Sequence, residues 1–241
     1  GVIIAMEACV VAGLDVACEA FHQMDPQIAT TVFHSDGEYC EKDDVIAELV
    51  GSARAMLRAE RTALNFMQRL SGIATLTRRF VRAASDKIIV RDTRKTTPLF
   101  RVLEKYAVQA GGGTNHRVGL FDGVLVKDNH IALLGSVGNA VRLMEKMNPW
   151  GLPLEVEVQN VADVEQAIEA GAEILLLDNM TTSEIMEAMR ICLGRVKVEI
   201  SGGITLERMR ELVDTGAQYV SIGALTHSAP AVDLSFEIEP I

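Results

Sequence analysis

Two basic pairs in one segment of the chain could bind a carboxylate or a phosphate. Arg94 with Lys95, and His116 with Arg117, fall in predicted loops, where a guanidinium can bind an oxyanion through two parallel hydrogen bonds. Residues 91–130 carry seven Lys or Arg and four acids, a net charge of +3 within a chain of −10. The contrast predicts an anion-binding site in an acidic protein. A solvated surface run is the alternative for either pair taken alone.

Two carboxylates, Glu157 and Asp178, stand near the ends of predicted strands. Mg²⁺ in proteins takes one or two carboxylates together with substrate phosphates, so this pair fits a metal–diphosphate substrate. Such carboxylates can also face a developing positive charge. A structural ion pair with the nearby basic residues is the alternative.

Glycine-rich turns follow the last two predicted strands and could bind a phosphate. The turn at 201–203 (Ser-Gly-Gly) precedes a helix start at Thr205, which offers backbone N–H groups to an anion. Gly223 and Ala224 end the next strand, and phosphate sites on (β/α) barrels commonly use two such loops. Arg61 is a separate candidate, because a helical cation beside apolar neighbours either snorkels or meets an anion from a second subunit.

The elements that must position these side chains alternate along the chain. Strands are predicted at 87–90, 123–126, 154–158, 174–178, 197–200 and 219–222. From residue 152 onward they start about 20–23 residues apart with helices between them, which indicates a parallel sheet. This pattern predicts a barrel whose strands carry polar residues to one rim. A doubly wound open sheet is the alternative, weakened because no G-x-G-x-x-G follows a strand.

The first part of the chain has a different pattern and predicts a smaller α+β domain. Strands are predicted at 30–34 and 45–50, and a long helix from Ser52 to Leu70. A break at 71–72 (Ser-Gly) would separate it from a second helix ending near residue 83. A strand at 232–238 alternates at period two and could return to this domain.

Composition excludes several classes of protein. With 241 residues, 49% hydrophobic and 23% charged, the chain can bury a core and has no apolar run long enough to span a membrane. The charge of −10 argues against nucleic acid or an anionic membrane as partner. Four cysteines without C-x-x-C spacing indicate reduced thiols of a cytoplasmic protein. No Lys or Arg precedes Lys42, which argues against a signal peptide, and the opening at Gly1 leads us to expect further sequence upstream.

Seven motifs together resemble the quinolinate phosphoribosyltransferase family, and the resemblance covers essentially the whole chain in order. The motifs are ERTALN (60–65), DTRKT (92–96), KYAV (105–108), GGGTNHRVG (111–119), VKDNH (126–130), LDN (177–179) and GALTHS (223–228). The resemblance implies a type II phosphoribosyltransferase-like α/β fold. In it, an incomplete (β/α) barrel of residues 66–226 accompanies a smaller α+β sandwich of residues 1–65, with 227–241 returning to the sandwich. It also implies a homodimer or dimer-based oligomer whose active sites are shared between subunits.

The resemblance also implies a role for each candidate residue. The residues implied to contact substrates are Arg61, Thr93, Arg94, Lys95, His116, Arg117, Lys127, Glu157, Asp178, Ser201, Gly202, Gly203, Ile222, Gly223 and Ala224. Within that set, the residues implied to bind the quinolinate carboxylates are Arg94, His116, Arg117 and Lys127. The residues implied to bind the 5′-phosphate are 201–203 and 222–224. Lys95, Glu157 and Asp178 are the implied catalytic residues; the two acids also bind Mg²⁺, and Arg61 reaches into the partner's site.

The implied reaction joins quinolinate to phosphoribosyl pyrophosphate with decarboxylation. It yields nicotinate mononucleotide, pyrophosphate and CO₂ for NAD biosynthesis. Three alternatives stay open: a catalytically silent relative that binds a phosphorylated ligand, a relative that uses nicotinate without decarboxylation, and a biotinyl or lipoyl carrier around residues 36–38. The carrier is disfavoured because Lys42 lacks the expected flanking residues.

The chain departs from the family pattern at one visible place. After residues 96–98 (Thr-Thr-Pro) the family usually has Gly-Leu-Arg, whereas this chain has Leu99, Phe100 and Arg101. If that glycine requires a positive φ, Leu99 is strained, at a cost of about 1 kcal/mol or more.

Overall fold

The computed structural model describes residues 1–239, which form two compact units. Of the described residues, the first comprises 1–79, 95–114 and 224–239, and the second comprises 80–94 and 115–223. These bounds differ from the predicted domains, because residues 66–79, 95–114 and 224–226 group with the first unit. The last two residues of the predicted returning segment lie outside the described part of the chain.

Twelve strands and nine helices are found in the described residues. The strands are β1 (Val2–Ala5), β2 (Cys9–Val10), β3 (Ala29–Val32), β4 (Tyr39–Cys40), β5 (Val45–Val50), β6 (Ile89–Arg91), β7 (Val124–Val126), β8 (Leu154–Val158), β9 (Ile174–Asp178), β10 (Lys197–Ser201), β11 (Tyr219–Ser221) and β12 (Leu234–Glu237). The helices are α1 (Leu14–Met24), α2 (Ala53–Ala84), α3 (Arg101–Ala110), α4 (Asp128–Leu134), α5 (Val137–Lys146), α6 (Ala162–Glu169), α7 (Thr182–Cys192), α8 (Leu206–Leu212) and α9 (Ala224–His227). Within residues 1–239, no helix combines the length and apolar character needed to cross a bilayer.

The first unit is built on a four-stranded antiparallel sheet in the order β12-β1-β5-β3. Strand β12 pairs with β1, with Val2 opposite Glu237, so the predicted return of the chain end to this domain is confirmed. A second, two-stranded ribbon pairs β2 with β4 and was not predicted. Its cysteines, Cys9 and Cys40, are buried free thiols with their sulfurs 3.4 Å apart.

Helix α2 is one continuous helix, so the predicted break at 71–72 is wrong. The Ser71 hydroxyl accepts a hydrogen bond from the Ala12 N–H at 2.9 Å and donates to the Ala12 carbonyl at 3.2 Å. A Cβ at Gly72 would lie 2.0 Å from the Pro230 carbonyl oxygen. The small residues therefore allow close packing, and one interior glycine costs a long helix only about 1 kcal/mol.

The second unit is a six-stranded parallel sheet in the order β6-β11-β10-β9-β8-β7. All five pairings are parallel, and no pairing between β6 and β7 is found in the part of the chain described. The predicted incomplete barrel is therefore confirmed, with its opening between the first and second strands of the series. Helices α5 to α7 pack against the strands or one another, as expected for a parallel sheet.

Candidate active site

One group of predicted residues lies at the carboxyl ends of neighbouring strands in the second unit. Lys127 follows β7, Glu157 lies in β8, and Asp178 and Ser201 end β9 and β10. Parallel strands end at the same edge of a sheet, and the register pairs Asp178 with Ser201 directly. We call Lys127, Glu157, Asp178 and Ser201 the rim layer. The structure brings these four together as predicted.

The rim layer contains an ion pair. The Lys127 ammonium lies 3.2 Å from Glu157 Oε2, with the lysine side chain 47% exposed and the glutamate 8% exposed. The structural ion pair that was the alternative for Glu157 is therefore present. Both partners are also candidate site residues, so a bound anion would compete with Glu157 for the lysine.

The other rim carboxylate is held by hydrogen bonds from two neighbours. The Ser201 hydroxyl donates to Asp178 Oδ1 at 2.5 Å, and Asn179 Nδ2 donates to Asp178 Oδ2 at 2.8 Å. The backbone of Asn179 is in the left-handed region (φ 56°). Its Oδ1 lies 2.2 Å from the position that a Cβ at Gly202 would occupy. Gly202 (φ 94°) must therefore be glycine, whereas a Cβ at Gly203 (φ 58°) would meet open space. The turn at 201–203 leaves backbone there open to a ligand.

A second group contains two acids, Glu155 and Glu199, that lie two residues deeper on β8 and β10. Glu155 precedes Glu157 by two positions on β8, and since side chains alternate along a strand, both face one side of the sheet. Glu155 Oε2 lies 2.7 Å from the Nε2 of His116, and the Arg91 guanidinium lies 2.7 Å from Oε2 of Glu199. We call Arg91, His116, Glu155 and Glu199 the inner layer.

The inner layer is buried and incompletely hydrogen-bonded. Oε1 of Glu155 and Oε1 of Glu199 have no hydrogen-bond partner among the described residues. Burial, and then the charge of nearby Glu155, raise the pKa of Glu199. The Arg91 guanidinium also lies 3.4 Å above the Tyr219 ring, a cation–π contact.

Two guanidinium groups approach each other beside the inner layer. Burial, followed by the nearby charge of Arg94, lowers the pKa of the Arg117 guanidinium. Arg117 donates to the Gly123 carbonyl at 3.3 Å, and its Nε has no partner within residues 1–239. A cavity of about 180 Å³ is lined by Arg91, His116, Arg117 and Glu155, together with residues at the amino ends of β7 to β9. A dianion would neutralise two such cations, which otherwise repel each other.

Three proteins with similar names resemble this chain over most of their length. It is 43% identical over 237 residues to a probable nicotinate-nucleotide pyrophosphorylase [carboxylating] of Bacillus subtilis, covering 98% of this chain and 82% of the relative. A chloroplastic nicotinate-nucleotide pyrophosphorylase [carboxylating] of Oryza sativa is 40% identical, with 98% and 68% covered. The crystal structure of the nicotinate-nucleotide pyrophosphorylase from Ehrlichia chaffeensis superposes with a TM-score of 0.94 at 38% identity, covering 99% of this chain and 87% of that one.

Two family descriptions match nearly the whole chain. Quinolinate phosphoribosyl transferase, N-terminal domain, matches residues 1–71, and the C-terminal domain matches residues 73–237. The chain belongs to the quinolinate phosphoribosyl transferase family. A Pyrococcus furiosus nicotinate-nucleotide pyrophosphorylase, at 19% identity and a TM-score of 0.82, supports the fold alone.

Other candidate residues of this family member lie in the first unit. Lys95 is held through its backbone, because the Thr226 hydroxyl donates to the Lys95 carbonyl at 2.8 Å. The following loop is tied to buried Glu104, which accepts from the Thr97 N–H at 3.0 Å and the Thr97 hydroxyl at 2.8 Å. Leu99, where the family usually has glycine, has φ 69° and a fully exposed side chain. The strain expected from the sequence is therefore present.

Arg61 is solvent-exposed on α2. Its side chain is 70% exposed, and its guanidinium reaches Glu60 only at 3.9 Å. Leu57, one turn earlier, is also exposed, whereas Leu64 is buried. Arg61 is therefore accessible to a ligand or to another subunit.

Sequence reasoning missed three charged residues of the inner layer, namely Arg91, Glu155 and Glu199, as functional candidates. The signal was available in the alternation of strands β8 and β10, which carry acids at inward positions where apolar residues are usual. Residues at strand ends do not include these inward acids, which lie within the strands. Asn179, which holds Asp178 and packs against Gly202, was likewise not assigned a role.

Proposed function

We propose that this chain is a quinolinate phosphoribosyltransferase that decarboxylates its product. Quinolinate and phosphoribosyl pyrophosphate would yield nicotinate mononucleotide, pyrophosphate and CO₂ for NAD biosynthesis. The observation that carries the proposal is the concentration of charged candidate residues in the second unit, where the charge of Arg94 lies near Arg117 and the carboxylates of Glu157 and Asp178 lie at the rim. The names of the relatives agree with it.

The substrate dicarboxylate would be bound by the basic residues of the second unit. Arg94 and Arg117 would each donate two parallel hydrogen bonds to a carboxylate. Lys127 would exchange its contact with Glu157 for the second carboxylate, and His116 would add a further donor. Thr93 stays a predicted contact beside Arg94. Holding the dicarboxylate in one orientation places its ring nitrogen against the ribose and removes much of the entropic cost of reaction.

The chemistry needs no nucleophile from the protein. The C1–O bond to pyrophosphate breaks, the ring nitrogen supplies the electron pair of the new C1–N bond, and positive charge develops at the ribose. Glu157 would stabilise that charge electrostatically. The bond between the ring and the neighbouring carboxylate then breaks and CO₂ leaves. The electron pair of that bond stays on the pyridinium ring and takes up a proton from solvent.

Two further assignments concern the phosphorylated substrate. Glu157 and Asp178 fit Mg²⁺, because they present carboxylate oxygens from adjacent strands at the rim, the ligands this ion prefers. The ion would stabilise the departing pyrophosphate. The turn at 201–203 and residues 222–224 would bind the 5′-phosphate through backbone N–H groups.

The remaining assignments extend beyond the second unit. Lys95 directly follows Arg94 in the chain and would contact both substrates. Arg61 would enter the active site of a partner subunit in a homodimer or dimer-based oligomer, and its exposure supports this assignment. The four free thiols support a cytoplasmic location.

The decisive experiment supplies both substrates and measures each product. With quinolinate and phosphoribosyl pyrophosphate, we expect nicotinate mononucleotide, pyrophosphate and CO₂ in equal amounts. No pyrophosphate release would favour the catalytically silent alternative, for which strained Leu99 is the supporting observation. Product from nicotinate without CO₂ release would favour the non-decarboxylating alternative.

Arg117→Ala tests the dicarboxylate site. Losing a charge-assisted hydrogen-bonding pair should lower kcat/KM for quinolinate about 100-fold. Steady-state kinetics measure the effect, and Arg142→Ala, at an exposed arginine on α5, serves as the matched control and should change kcat/KM less than about twofold. Near-normal turnover of quinolinate by Arg117→Ala would contradict the assigned role.

A further inference from the structure

The imidazole of His116 is bound from within the protein rather than left to rotate. Its Nε2 lies 2.7 Å from Glu155 Oε2, and both side chains are largely buried, at 13% and 5% exposure. The backbone N–H of His116 donates to Asp92 Oδ1 at 2.8 Å, which fixes the residue at its main chain as well. Among the described residues, these two contacts are the hydrogen bonds of His116, and Nδ1 has no protein partner.

A carboxylate at Nε2 determines what Nδ1 can do. Glu155 accepts a hydrogen bond, so the ring carries a proton at Nε2 and leaves Nδ1 as the nitrogen that can face another group. A ring that holds a further proton at Nδ1 can donate a hydrogen bond to a substrate carboxylate from that nitrogen. A neutral ring in this tautomer would present a lone pair to the anion and repel it.

The surrounding charges favour this arrangement over a metal ion. Ligand atoms of His116, Glu155 and Glu199 lie within 4.8 Å of one another, a spacing that could hold a cation. However, the Arg91 guanidinium already pairs with Glu199 at 2.7 Å, and Arg117 lines the same cavity. Two guanidinium groups would repel a divalent ion, whereas they are compatible with a hydrogen bond between His116 and Glu155 and with a substrate dianion.

We propose that Glu155 is a positioning residue that holds His116 in the orientation and tautomer needed to bind a substrate carboxylate. The proposal rests on the proposed function only for the identity of the dicarboxylate. Glu155 itself does not touch substrate. It acts through His116. Oε1 of Glu155 has no hydrogen-bond partner among the described residues, so no other donor on that oxygen competes with His116 for the carboxylate.

The kinetic test uses Glu155→Gln, which keeps the shape and one hydrogen-bond acceptor but removes the charge. We expect KM for quinolinate to rise about tenfold, the difference between a charge-assisted and a neutral hydrogen bond. KM for phosphoribosyl pyrophosphate should stay within about twofold, and kcat within about threefold. Glu155→Leu, which also frees the ring, should raise KM for quinolinate further. Glu165→Gln, at an exposed carboxylate paired with Arg195, is the control and should leave all three constants unchanged.

An unchanged KM for quinolinate in Glu155→Gln would overturn the proposal. An equal change in both KM values would also overturn it, because a general distortion of the site weakens the binding of both substrates alike. Partial rescue by glutamine relative to leucine is the result that a positioning role requires.

A second measurement needs no variant that could fail to fold. In the wild-type protein labelled with ¹⁵N-histidine, ring nitrogen shifts report which nitrogen of His116 carries a proton, with assignment from His116→Asn. We expect a proton on Nε2 in the free protein and on both nitrogens after phthalate, an unreactive dicarboxylate, is added. A free ring protonated at Nδ1 alone, or a ring unaffected by phthalate, would overturn the proposal. If wild-type protein does not turn over quinolinate, the proposed function fails, while the free-protein tautomer still decides the role of Glu155.

Discussion

Two buried acidic networks, one in each unit, differ in how completely their hydrogen bonds are satisfied. In the first unit, Glu104 accepts four hydrogen bonds, two from Arg69 and two from Thr97. Arg69 also donates to the carbonyls of Ala229 and Thr226. In the inner layer of the second unit, Glu155 and Glu199 each keep one oxygen without a partner among residues 1–239.

This difference separates a network that holds a loop from one that can respond to a ligand. Buried polar groups are normally satisfied, since an unmade hydrogen bond costs about 1–3 kcal/mol. The Glu104 network follows that rule and fixes the loop after Lys95. The inner layer departs from it beside a cavity that Arg117 also lines, so its side chains are held by fewer hydrogen bonds than Glu104.

Replacing a buried glutamate by glutamine in each network should lower the free energy of unfolding most in the first unit. Glu104→Gln leaves the Arg69 charge without its partner, and breaking a buried pair in this way costs about 3–5 kcal/mol. We expect a lower midpoint in urea unfolding followed by circular dichroism. A loss under about 1 kcal/mol would mean that the Glu104 network does not stabilise the first unit, and Glu165→Gln controls for the chemistry of the substitution.

Glu199→Gln should have a smaller effect, and one that depends on pH. The pKa of Glu199 is raised in the folded protein, so between the unfolded and folded pKa values the folded state binds more protons. The stability associated with Glu199 is therefore fully present below the unfolded pKa and is lost as pH rises through the folded pKa. Wild-type stability should fall relative to Glu199→Gln as pH is raised above 4.5 and through the folded pKa.

Urea unfolding of both proteins at several pH values measures this difference. A difference in unfolding free energy that is constant with pH would contradict the assignment. Glu165→Gln provides the comparison at a solvent-exposed carboxylate.

The rim layer could be predicted from sequence, whereas the inner layer could not. A carboxylate at a strand end, such as Asp178, is visible because strand and turn are both local patterns and parallel strands share an edge. The inner layer depends on register and on a loop, since His116 is 39 residues from Glu155 in the chain. No local pattern reports that distance. The sheet, including its missing closure between β6 and β7, followed from the βα alternation and the family resemblance.

Helix α2 shows the opposite error, in which a local signal was given too much weight. Serine followed by glycine usually interrupts a helix, and here both residues serve tertiary packing instead. The Ser71 hydroxyl satisfies the backbone of Ala12, and Gly72 admits the Pro230 carbonyl. Which role a small residue has depends on neighbours that are distant in sequence.

Leu99→Gly tests the strain that the satisfied network maintains. A non-glycine residue in the left-handed region costs about 1–2 kcal/mol, and the flexibility of glycine in the unfolded chain offsets about half of that. Because the Leu99 side chain is fully exposed, its removal loses little packing. We expect a stabilisation of about 0.5–1 kcal/mol, seen as a rise in Tm of about 2 °C. Leu120→Gly, at an exposed leucine without a positive φ, should instead be neutral or slightly destabilising.

The double variant Glu104→Gln with Leu99→Gly tests whether the hydrogen bonds of Glu104 maintain the backbone strain at Leu99. Backbone strain persists only where the surrounding structure holds it, and Glu104 fixes Thr97 just before Leu99. If the network maintains the strained loop, removing the strain first should reduce the loss caused by Glu104→Gln. A double-mutant cycle should then give a coupling of about 0.5 kcal/mol or more. Strict additivity would mean that Leu99 is held by its own short loop, independently of the buried carboxylate.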